Sequence, residues 1–221
     1  VVQTQGIINS ATEQYQSQAQ HDVQSLDQNV SKSRSQGLQV QYFAQQLTQA
    51  KTLLSSAKYP KDFAAVSTQA HTTGQTLDLM RLTNGQLTTF KHTIDQMQSA
   101  HLDVTAMQMQ YQDDQQKFAA SKVLPDFQKL STLLNAQYLQ AVVSTNLALP
   151  YVTSAKLSDL TGKFQFLQSN GMDISTYQPM VNTDKTAASK VKNVQDYINF
   201  SKQVDTDIAS MSDDLITAQA K

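Results

Sequence analysis

With 221 residues, 39% of them hydrophobic, the chain can bury a core, yet only 16% are charged, against roughly 25% in an average soluble domain. A net charge of −1, with Arg34 and Arg81 as the only arginines, leaves no basic patch for nucleic acid. The absence of cysteine removes disulfides, thiolate nucleophiles and cysteine zinc sites together.

The first apolar stripe runs through Ile8, Ala11, Tyr15, Ala19, Val23, Leu26 and Val30. Its steps of three and four predict a helix from about Gln5 to Arg34. Gly37 follows as a residue able to take positive φ and stop it. Val40, Phe43, Leu47, Ala50 and Leu54 predict a second helix that ends before Pro60, and Phe63, Val66, Ala70, Leu77 and Met80 a third. Thr83, Asn84 and Gly85 read as its stop.

The pattern then restarts. Leu87, Phe90, Ile94 and Met97 predict a helix ending near His101, and Val104, Met107, Tyr111 and Phe118 another to about Ser121. Phe127, Leu130, Leu134, Tyr138 and Ala141 predict a longer one that ends before Pro150. Leu157 to Leu167, Ile174 to Val191, and Tyr197 to Leu215 complete nine helices in three groups of three, with no alternating strand pattern. The expected units are 1–84, 85–149 and 150–221. Whether they stack end to end or fold back depends on the joints at Gly85 and Pro150.

The grouping has a second basis. The segments 35–67, 99–131 and 169–201 align without gaps on Leu38, Leu102 and Met172, on Lys58, Lys122 and Lys192, on Asp62, Asp126 and Asp196, and on Phe63, Phe127 and Tyr197. Self-similarity at a fixed period marks an array of like units. Pro60 and Pro125 suit a helix start, and the Asp after each places a negative charge in the first turn. Asn193 is the expected cap in the third segment. Pro179 favours a helix capped at Ser175 or Thr176, with Thr105 the equivalent in the second segment.

Motifs that carry chemistry are missing. His21, His71, His92 and His101 make no metal-ligand spacing, and no glycine-rich phosphate cradle or nucleophile elbow occurs. Asp113 with Asp114, and Asp213 with Asp214, are adjacent, so each pair diverges by about 100° on a helix and reads as solvated surface. The triplets Asn29-Val-Ser31 and Asn199-Phe-Ser201 fall inside predicted helices and carry no weight as glycosylation sites. Methionines 97, 107, 109, 172 and 180 read as packing before binding. The most apolar segment, 133–152, is interrupted by Asn135, Gln137, Gln140 and Asn146, so no membrane span is expected. No catalytic, cofactor-binding or metal-binding residue is assigned, and the chain is expected not to be an enzyme.

The polar helix faces are Gln, Ser and Thr, and Glu13 is the only glutamate. Few contacts on such a surface are ionic, which makes it insensitive to salt and suits an extracellular or cell-wall setting. The chain opens at Val1 without a start methionine or leader, as a trimmed fragment or mature form would. With the joints SQGLQV, SAHLDV and SNGMDI, and KYPKDF, KVLPDF and KNVQDY, it resembles the helical spacer regions of bacterial secreted proteins that sit beside cell-wall hydrolase or peptidase domains. More distantly it is similar to spectrin-type three-helix repeats, from which the expected breaks at Gly85 and Pro150 set it apart. The resemblance implies an all-α, non-catalytic module whose partners are other domains of the same protein or a protein partner. The alternative is a ligand- or peptide-binding domain with an apolar pocket between helices, lined by aromatics such as Tyr15, Phe43, Tyr111, Phe118 and Tyr138.

Overall fold

The computed structural model describes residues 2–219, with side chains from residue 9 onward, so that of Ile8 lies outside the described set. The fold is all-α. Eight helices, α1 (Val2–Ser35), α2 (Gln41–Ser56), α3 (Pro60–Ser99), α4 (Thr105–Ala120), α5 (Leu124–Ser169), α6 (Gln178–Ala188), α7 (Val194–Ser210) and α8 (Ser212–Gln219), account for it, with no strand among the described residues.

The joints are set by local chemistry, and three of them share one geometry. Gly37 and Gly171 adopt φ of 77° and 68°, and His101 adopts 56°. At each, the N–H of the left-handed residue donates to the carbonyl three back, and the next N–H reaches five back: Leu38 to Ser33, Leu102 to Met97, Met172 to Leu167, at 3.0–3.1 Å. This is the Schellman closure, which satisfies the last carbonyls of a helix and turns the following apolar side chain inward. Leu38, Leu102 and Met172 are accordingly half-buried against their cores.

Three further joints, before α3, α5 and α7, are capped from the first turn. The carboxylates of Asp62, Asp126 and Asp196 accept from the backbone N–H of Lys58, Lys122 and Lys192 at 3.3, 3.5 and 3.0 Å. The aligned lysines therefore contribute backbone to the joint. Asn193 accepts from the Asp196 N–H at 2.9 Å, as its sequence position predicts. Phe63, Phe127 and Tyr197, each next after its capping Asp, are buried.

Two expected helix ends are absent, and this is the main correction to the sequence reading. α3 continues through Gly85 and α5 through Pro150, while the last predicted helix divides into α7 and α8, which turns nine helices into eight. The unit boundaries expected after residues 84 and 149 thus fall inside helices. Gly85 costs about 1 kcal/mol relative to alanine, and Pro150 about 3. The buried stripe is unbroken across both: Met80, Thr83, Leu87 and Phe90 in α3, and Ala141, Thr145, Leu149, Thr153 and Leu160 in α5. Each fully buried Leu or Phe contributes roughly 1.5–3 kcal/mol, so continuity wins. A smaller correction concerns α6, which begins at Gln178 after Tyr177, a cap without a side-chain bond. The later start leaves Pro179 within the first turn. Asp173 instead accepts from the Ser175 N–H at 2.9 Å, and Asp103 from that of Thr105 at 3.0 Å. These backbone bonds hold both carboxyls below the usual range.

The chain forms two compact units, each from separate segments: Val1–Thr88 with Tyr111–Asn135, and Thr89–Gln110 with Ala136–Lys221. In the first, α1 packs against α2, and its core joins Val23, Leu26, Phe43, Leu47, Phe63, Leu77 and Phe127. Phe118 meets Phe127 edge-on at 5.7 Å. In the second, α7 packs against α6 and α8, and the core joins Leu149, Leu160, Phe164, Leu167, Val181, Phe200, Val204 and Met211.

Candidate functional site

The titratable groups that sequence analysis weighed do not converge. All four histidines are exposed. His71 exchanges a hydrogen bond with Gln75, one turn on, and Asp95 near His92 is bridged to Lys91 instead. Among the described residues no group of three His, Asp or Glu is placed to hold a metal ion.

The adjacent aspartates are not uniformly solvated, which corrects the sequence expectation. Asp113 is exposed and bridged to Lys117 at 2.5 Å, but Asp114 is fully buried, with one oxygen 3.7 Å from the same Lys117. Asp214 is half-buried and accepts from the Tyr177 hydroxyl at 3.0 Å, which raises the Tyr177 pKa.

Asp184 on α6 and Asp207 on α7, which carry no motif in the sequence, come together in the second unit. Asp184 is 0% exposed and Asp207 5%. Asp207 accepts from Gln203 Nε2 at 3.1 and 3.0 Å. Burial first, and then the hydrogen bond with Asp207, push Asp184 up from 3.8 to about 7. Burial and the nearby Asp207 both disfavour the charged form of Asp184, so it keeps its proton well above the usual carboxylate range. Catalytic dyads use the same physics, but both members of this pair are buried and neither lines a groove described below. Its sequence signal is register: Asp184 follows Val181 by three, and Asp207 follows Val204 by three, which places a carboxyl on each buried stripe. Asp114 lies at the place aligned with Asp184 in the second copied segment.

Among the described residues, open grooves of 490, 450, 400 and 290 Å³ are present. The last lies within the second unit and is lined by neutral hydrogen-bonding side chains, including Gln96, Tyr138, Asn146, Asn193 and Gln195. Of the aromatics proposed for a pocket, only Tyr138 lines one of these grooves. Phe43 is core, and Phe118 is spent on Phe127.

Among the described residues, a row of exposed apolar side chains stands on α5. Its buried face carries Ala141, Thr145, Leu149 and Thr153. Offset by two residues, about 200° around the helix, a second row stands in solvent: Leu139 is 62% exposed, Val143 57%, Leu147 76% and Tyr151 79%. All four belong to the second unit. The sequence from residue 130 to 155 contains no charge at all. A helix that is apolar on opposite faces is normally covered on both. The run 133–152 drew notice in the sequence only as a membrane-span candidate, and among the described residues no helix is long and apolar enough to cross a membrane.

No family model matches the chain, and neither a curated protein nor a solved structure matches it. What supports a function is therefore this geometry and the chain's own composition.

Proposed function

We propose that the chain is a non-catalytic, extracellular helical module of a larger secreted bacterial protein, which spaces other domains and presents a helical surface to a protein partner. The observation that carries this reading is the uncovered row Leu139, Val143, Leu147 and Tyr151 on α5. Exposed apolar rows of this kind mark protein contacts. The like geometry of the three glycine or histidine joints supports reading the chain as tandem copies of one helical unit. The Gln, Ser and Thr surface with few charges supports the extracellular setting.

Because the chain has no cysteine, a single Leu147→Cys change gives a unique reporter. Maleimide labelling should be fast in the chain purified alone and diluted well below about 1 μM, where any weak self-association is lost, and slow in the same chain recovered from the medium or wall of its own cell. Equal, fast labelling in both would remove the interaction reading, and recovery only from the cytosol would remove the extracellular one.

A further inference from the structure

The uncovered row has a property beyond being apolar. Leu139, Val143, Leu147 and Tyr151 recur every four residues and form one ridge along α5. Its four positions are evenly spaced about residue 145. A two-fold axis through residue 145, perpendicular to the helix, would set each Val143 beside Leu147 of a second copy and each Leu139 beside its Tyr151. An antiparallel pair of identical helices needs that arrangement, because a two-fold interface brings the same patch together from both sides.

Charge decides between kinds of partner. With no Asp, Glu, Lys or Arg between Lys129 and Lys156, two copies of this face meet without opposing like charges. A charged partner, in contrast, would find nothing complementary to steer it. Area is consistent with the same choice. Four such side chains expose on the order of 400 Å² per copy, and Gln140, Asn146 and Pro150, exposed beside them, add a rim. Two copies would then remove about 1,000–1,200 Å² from water, the lower edge of a specific interface.

We infer that the chain self-associates as a two-fold dimer through the Leu139, Val143, Leu147 and Tyr151 face of α5. This inference rests on the interaction reading above and names the partner as a second copy. The dimer is weak and depends on concentration, because the contact is small and has no ion pair.

Sedimentation equilibrium of the full chain, from about 1 to 300 μM, spans the affinities expected for an interface of this size. The wild type should move from monomer to dimer across that range. Leu147→Lys and, separately, Tyr151→Ser should raise the dissociation constant about tenfold or more, with helicity by circular dichroism unchanged. Gln168→Lys, exposed on the same helix outside the row, should leave it unchanged. A wild type that stays monomeric throughout overturns the dimer, as does a dimer indifferent to both row variants. If the wild type is monomeric while the Leu147→Cys thiol is still protected in the cell-derived product, self-association fails and the interaction reading survives. Fast labelling in both settings, with a monomer, ends both.

Discussion

Asp184 shows how far burial can move a single side chain. It sits on the inner stripe of α6 with no exposed surface, and the charged group that bears on it is Asp207 of α7. Lys156 of α5, the lysine that reaches α7, is bridged there to Asp205 at 2.5 Å, and Lys185 on α6 is set apart from Asp184 on the helix surface by one residue's turn, so neither supplies a positive charge to the pair. The folded pKa of about 7 lies above the usual 3.8. The folded chain therefore binds more protons than the unfolded one between those values, and stability falls as pH rises through that window. Thermal melts from pH 4 to 8 should show the midpoint falling toward the alkaline end. Asp184→Asn, which cannot ionise, should flatten that dependence. A wild-type profile that is flat, or that rises over this range, would contradict the assignment.

At the scale of the element, helix continuity is a competition between local preference and buried surface. Pro150 is exposed, and a Cβ added at Gly85 would meet nothing within 4 Å. Neither residue is needed for packing, so each is a net cost to its helix. Gly85→Ala should stabilise the fold by about 1 kcal/mol, and Pro150→Ala by about 1–3 kcal/mol, read from denaturant midpoints. Loss of stability at either position would mean that the helix is interrupted there. The glycine joints carry the opposite expectation, because Gly37 and Gly171 hold positive φ that alanine tolerates poorly. The sequence shows a glycine in both settings, and only the surrounding burial distinguishes a helix stop from a tolerated interior residue.

At the scale of the whole chain, neither compact unit is a single stretch of sequence. The first takes its core from 1–88 and also from 111–135, which contributes Phe127 at 0% exposure. A fragment ending at residue 84 would lack that ring. Removing a buried Phe costs about 3–5 kcal/mol, so fragment 1–84 should melt well below fragment 1–135, or fail to fold cooperatively. Equal stability of the two, by circular dichroism melts, would show the segment 1–84 to be self-sufficient.

The residues by themselves determined what is local. The 3.6-residue stripes, the left-handed position at Gly37, the first-turn aspartates, the Asn193 cap and the all-α class could be read directly, because each depends on neighbours within a turn or two. The tertiary structure alone decided three things: that α3 and α5 pass through Gly85 and Pro150, that Asp114, Asp184 and Asp207 are buried while Asp113 is not, and that α5 keeps one apolar face packed and another open. Each of these depends on how much apolar surface distant segments bring to a position. Spacing along the chain encodes which side chains share a face, but not which of two apolar faces finds a neighbour.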